Sequence, residues 1–129
     1  MIQVYLSKQS NYPISSPKLK KRLKEFLTEQ GIVSDSDVYV SLVGEKKMLD
    51  LSKKHLNEDN VLHNVLSFTE DEVKGKFVYP PENIIHLGEI IVCYPKAFQE
   101  ARSEGKLIEE KVWELVKHGA YHLLGKHHS

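Results

Sequence analysis

A single cysteine among 129 residues excludes an internal disulfide and fits a reducing compartment. Cys93 lies in an apolar run, where a small buried hydrophobe is the expected role rather than a nucleophile. The chain also lacks the run of about 18 apolar residues that a membrane-spanning helix needs. Its start, Met1-Ile2-Gln3-Val4-Tyr5-Leu6-Ser7, alternates like a strand instead of reading as a basic-then-apolar leader. A soluble, unsecreted, cytoplasmic protein with no membrane partner is therefore expected. No sign of charge prevails: 18 basic and 18 acidic residues cancel. That balance gives no global nucleic-acid signature, so any polyanion contact must come from a local patch. Repeats, low-complexity tracts and convincing linkers are absent too. With 40% hydrophobic residues the chain can build one core, and residues 1–129 are expected to form a single domain.

Helices and strands alternate along the chain. Ser15-Ser16-Pro17 supplies a hydroxyl cap and a first-turn proline, and Leu19, Leu23, Phe26 and Leu27 recur at helical spacing as far as Gly31. Asp37 to Val43 reads as a strand, followed by a helix from Glu45 with Met48, Leu49, Ser52 and Leu56 on one side. Val65-Leu66-Ser67-Phe68 is a short strand; Lys76 to Tyr79 is expected to pair near it, with a turn at Pro80, Pro81 and Asn83. Ile84 to Tyr94 is the most apolar strand, buried at least partly on both faces. Pro95 opens a helix that Gly105 ends, and Ile108 to Leu124 forms the last and longest helix. The class is α+β, a mixed sheet of about four strands covered by helices.

The final twelve residues carry four of the seven histidines. His118, His122 and His128 stand in the order His-x3-His-x5-His. On a helix the first two share a face one turn apart, and a turn at Gly125 is expected to bring the third back beside them. Around the helix axis Val112, Leu115, Val116, Gly119 and Leu123 form an inward stripe, with His118 and His122 on its flank. Three neutral imidazoles make an open site for one zinc ion. A structural zinc site is usually closed by a fourth ligand, whereas a catalytic one leaves that position to water. Glutamate follows the first histidine in zinc proteases of related spacing. Gly119 occupies that position here, which disfavours peptide hydrolysis.

The run His118-Gly119-Ala120-Tyr121-His122-Leu123-Leu124-Gly125-Lys126-His127-His128 resembles the signature His-Gly-x-Leu-His-Leu-x-Gly-Tyr-Asp-His of the YbeY family, bacterial ribosomal-RNA maturation factors. Asn64-Val65-Leu66-Ser67-Phe68 is similar to its Asp/Asn-Val-Leu-Ser-Phe strand. Leu87-Gly88-Glu89-Ile90-Ile91-Val92, with Pro95-Lys96-Ala97 after it, is similar to its Gly-Asp-Ile strand and following helix. The agreement runs in order from about Val38 onward. The resemblance implies a zinc-dependent endoribonuclease acting on single-stranded RNA in ribosomal-RNA maturation and ribosome assembly. Ribosomal RNA, and with it ribosomal proteins or the small subunit, are the implied partners. Lys126-His127 replaces the family's Tyr-Asp, which makes His127 a rival to His128 as third ligand. The family's arginine falls near Leu56 or Asn57, and its Pro-Thr pair at Leu62-His63.

For the reaction itself, zinc-bound water attacking a phosphodiester is the expected chemistry. His127, if free of metal, and Glu89, if its strand ends beside the ion, are the candidate acid–base groups. Asn64, Ser67 and Lys96 are candidate substrate contacts. Lys18, Lys20, Lys21, Arg22 and Lys24 give the first helix a basic surface, to which Lys53 and Lys54 add. Two other readings stay open: a non-catalytic assembly factor that uses zinc to fix its last helix, and a metallohydrolase acting on another substrate.

Overall fold

The computed structural model describes residues 1–70, Glu72 and residues 83–128, the last three by their backbone alone. Its elements are β1 (Ile2–Lys8), α1 (Ser16–Glu29), β2 (Ser36–Val43), α2 (Glu45–Leu56), β3 (Val65–Phe68), β4 (Ile85–Cys93), α3 (Tyr94–Glu104) and α4 (Ile108–His128). The strands form one sheet in the order β1-β2-β4-β3. β1, β2 and β4 run parallel, and β3 pairs antiparallel with β4. This is the mixed four-stranded α+β architecture expected from the pattern. Lys76 to Tyr79 and Pro80-Pro81 lie outside the described residues. Among the described residues no helix is long and apolar enough to cross a membrane.

Local chemistry accounts for the boundaries. Ser15 Oγ accepts a hydrogen bond from Lys18 N at 3.3 Å, and Pro17 sits in the first turn of α1, where its missing N–H costs nothing. Asn57 ends α2 in the left-handed region, as Gly105 ends α3. The apolar stripes then bury themselves on the two sheet faces. On one face α1, α3 and α4 enclose Leu23, Leu27, Val40, Ile90, Val92, Val116 and Leu123. On the other, Met48 of α2 packs with Leu66, Phe68, Ile91 and Cys93. Burial pushes the Cys93 thiol pKa up, so the side chain behaves as a small hydrophobe.

β4 carries an irregularity that the pattern did not disclose. Asp37 pairs with His86 but Val38 pairs with Gly88, so Leu87 is an extra, bulged residue. Leu87 turns into the core with Ile90 and Val92. Gly88 has φ 138, and a Cβ there would collide with the Phe68 carbonyl oxygen and lie 2.9 Å from Leu123 Cδ2. Only glycine meets both demands.

The end of α4 differs from expectation. The helix does not stop at Leu124 and turn at Gly125; it continues to His128. Among the described residues nothing lies within 4 Å of where a Gly125 Cβ would be, so none of them forces a turn. A glycine inside a helix costs only ~0.5–1 kcal/mol relative to alanine.

Candidate active site

α4 lies unusually close to the sheet because of Gly119. A Cβ at that position would stand 2.7 Å from Ile90 Cγ2 and 3.4 Å from Ser67 Cβ. Val112, Leu115, Val116 and Leu123 are buried along the same stripe. His118 and His122 flank it, one turn apart and exposed. The packing therefore holds the helix rigidly while both rings reach solvent.

His118 opens onto a cavity of about 380 Å³ that Asn64, Val65, Leu115, Lys117 and Tyr121 also line. Asn64 Nδ2 donates to Glu100 Oε1 at 3.1 Å, and the Asn64 backbone carbonyl oxygen accepts from Cys93 N at 2.9 Å. Behind Glu100 lies the buried ammonium of Lys111, 3.5 Å from Glu100 and 3.0 Å from both Glu104 and Glu114. Burial works against the charged lysine, but Glu104 and Glu114 prevail and raise its pKa. The cluster fixes the wall of the cavity that carries Asn64. Ser67 faces α4 beneath Gly119. The structure thus groups Asn64, Ser67, His118 and His122 on one side of the sheet.

Glu72, which the sequence reading missed, meets His122: its Oε1 is 3.4 Å from His122 Nε2. The same oxygen accepts from Thr69 N at 2.8 Å and Thr69 Oγ1 at 3.1 Å, while Glu72 N donates to Thr69 Oγ1 at 3.4 Å. This reciprocal arrangement is a capping box. Its spacing, Thr69-x-x-Glu72 directly after a strand, was the available signal. Partial burial raises the Glu72 pKa, but the bonds from Thr69 and the nearby His122 outweigh it and hold the carboxyl below its ordinary value.

Other expected positions separate from this group. Glu89 occupies the opposite face. It alternates with Ile90, which packs under α4, and shares its side with Ile91 and Cys93 over α2. The sheet therefore stands between Glu89 and the imidazoles. Lys96 donates from Nζ to the Leu62 carbonyl oxygen at 2.8 Å, so its charge secures the loop before β3. The side chains of His127 and His128 lie outside the described residues.

Two imidazoles one turn apart suit a divalent ion, and the adjacent Glu72 adds a favourable negative charge. Among the described residues no group of three His, Cys, Asp or Glu side chains stands close enough to hold one. Along a continuous helix His128 lies about 9 Å beyond His122 and about 120° round the axis. Gly125 does not deliver it in this conformation.

Comparison with known proteins decides the family. The family model described as Endoribonuclease YbeY matches residues 5–129. The chain belongs to this family. It is 36% identical over 112 residues to a Thermus thermophilus protein named Endoribonuclease YbeY, covering 87% of this chain and 76% of that one. A Dehalococcoides mccartyi protein of the same name is 32% identical over 122 residues, covering 89% and 70%. Among solved structures, the solution structure of TM1509 from Thermotoga maritima is similar with a TM-score of 0.55 and 29% identity, over 95% of this chain and 71% of that one. The family match begins well before the region near Val38 where the resemblance was legible. Gly119 of the family-like signature has a steric explanation here, since even a methyl group meets Ile90.

Proposed function

We propose that this protein is a zinc-dependent endoribonuclease that cleaves single-stranded RNA during ribosomal-RNA maturation and ribosome assembly in the cytoplasm. Ribosomal RNA and components of the small ribosomal subunit are its proposed partners. The observation that carries the reading is the exposed His118–His122 pair on α4, with His118 sharing a cavity with Asn64, in a chain that belongs to a family described as endoribonucleases. His118, His122 and His128 are the proposed ligands of one ion. Recruiting His128 then requires the last turn of α4 to open at Gly125. Bound there, zinc would supply an acidified water and a Lewis acid toward a phosphoryl oxygen.

The chain's own groups do the rest. Glu72 faces His122 and favours a ring oriented toward it, as carboxylates beside metal-binding histidines do. Asn64 presents an amide on the wall of the cavity at His118, and Ser67 a hydroxyl on the strand beneath Gly119; both are suited to a phosphate or ribose. His127 is the remaining candidate acid–base group. Gly119 disfavours peptide hydrolysis, because a glutamate side chain at that position would have to displace Ile90.

The test compares wild-type and His122→Ala proteins, each checked for fold, for cleavage of single-stranded RNA, with elemental analysis of untagged protein. Cleavage that accompanies zinc and disappears in the variant is expected; equal residual cleavage by both sinks the nuclease reading. A second reading, a zinc-stabilised assembly factor without catalysis, is favoured by one feature. The positions near the expected arginine are Leu56 and the helix-ending Asn57, and neither offers a cation to phosphate.

A further inference from the structure

The cavity at His118 does not end there. Lys117 and Tyr121 line it on one side and on the other border an open groove of about 820 Å³ between α1 and α4. Trp113, Lys117 and Tyr121 succeed one another at four-residue intervals on α4, about 6 Å apart along its axis. Tyr121 is 52% exposed. Phe26 of α1 fixes both aromatic rings by edge contacts, 5.0 Å to Tyr121 and 6.0 Å to Trp113 between centroids. Arg22 lies over Trp113, 4.8 Å from the ring, and is steadied by Glu110 at 2.9 Å. Among the described residues no carboxylate pairs with Lys117.

We propose that this groove is the track for the single-stranded RNA flanking the cleaved bond, with Tyr121 stacking a base, Lys117 contacting a phosphate, and Trp113, capped by Arg22, lining the floor beside the strand. The proposal rests on the nuclease reading above and names where its substrate lies. Sequence-tolerant single-strand binding combines flat aromatic surfaces with a cationic path. Both occur here in a groove that shares Lys117 and Tyr121 with the cavity at His118. The α1 side carries Lys24 beside Glu25 and Glu29, so its charge is mixed, whereas Lys117 on the α4 side has no carboxylate partner among the described residues. A tyrosine at the second residue after Gly119, where the family signature has leucine, supplies the stacking surface nearest the histidines.

Trp113 is the sole tryptophan, so its fluorescence reports directly on occupancy of the groove. A single-stranded oligouridylate of about 12 nucleotides, within the span of single-strand grooves, is titrated in a stopped-flow mixer so that binding is read before turnover. Quenching of Trp113 is expected. Tyr121→Ala should weaken binding about fivefold or more. Lys117→Ala should lower the steepness of the log–log salt dependence by about 0.7. RNA that binds without changing Trp113 emission, or Tyr121→Ala and Lys117→Ala proteins that bind like wild type, overturns the track. Both substitutions are at partly or largely exposed positions, and circular dichroism confirms that the variants fold. The two readings fail separately. Wild-type cleavage that depends on His122 but is indifferent to Tyr121 and Lys117 removes the track alone, whereas groove binding without cleavage removes the nuclease alone.

Discussion

Gly119 and Ile90 meet so closely that a Cβ on the glycine would lie 2.7 Å from Ile90 Cγ2. This contact sets the height of α4 above the sheet and hence the position of both imidazoles. Gly119→Ala should destabilise the fold by about 1–3 kcal/mol, the usual cost of overpacking. In an Ile90→Ala background, itself destabilised by the lost core packing, the same glycine substitution should cost less. A thermal-melt double-mutant cycle checks it, and simple additivity of the two changes would remove the contact from the argument.

Opening the last turn of α4 at Gly125 is required if His128 joins His118 and His122. Gly125→Ala meets no atom of the described residues and should favour the continuous helix by about 0.5–1 kcal/mol. The melting temperature should rise while zinc affinity falls about two- to fivefold. Calorimetric titration with zinc is the measurement. Unchanged affinity in a more helical variant would mean that the ion does not need the turn.

Lys111 sets the acid stability of the wall that carries Asn64. Hydrogen bonds from Lys111 and then Lys106 hold Glu104 below its ordinary pKa, and those from Lys106 and then Lys111 do the same for Glu114. For depressed carboxyls, the stabilisation is present above the unfolded value near 4.3 and is lost as pH falls through the lower folded values. Lys111→Met should therefore lose about 1–3 kcal/mol near neutrality, between the ranges for exposed and buried pairs. Below about pH 4.3 its deficit should shrink. Denaturant melts across acid pH read both effects, and a pH-independent deficit would contradict the electrostatic account.

Glu72→Gln keeps the shape of the side chain facing His122 but removes its charge. Zinc affinity should drop about 10- to 100-fold, as when the carboxylate partner of a metal-binding histidine is lost. The capping of Thr69 should survive, since the amide oxygen still accepts. Competition with a chromophoric chelator measures the affinity; a value equal to wild type would leave Glu72 with a capping role only.

Much of this fold was written in local chemistry. The hydroxyl and proline at the start of α1, the glycine after α3 and the buried stripe of α4 each follow from a short-range rule, and each appears where that rule puts it. The misplacements have physical causes. β4 is buried on both faces along most of its length, so alternation of apolar and polar residues could not say which side Glu89 takes. Gly125 suits a helix end or a tolerated interior position equally well, and only its surroundings choose. Lys111 looks like a solvated charge until α3 is folded against α4 and brings Glu100 and Glu104 to it. Glu72 was legible through its capping spacing, but its proximity to His122 depends on tertiary packing.

The extra residue in β4 constrains how this strand can vary in length. Asp37 now sits beside His86, with His86 Nδ1 2.8 Å from Asp37 Oδ1, while Leu87 fills the core. Deleting Leu87 would leave every later pairing of β4 intact and place His86 directly before Gly88. Asp37 would keep His86 opposite it, but the core would lose a fully buried isobutyl group. Single-residue deletions just upstream of Gly88 should thus be far less tolerated than in a surface loop, although no strand becomes shorter by more than its bulge.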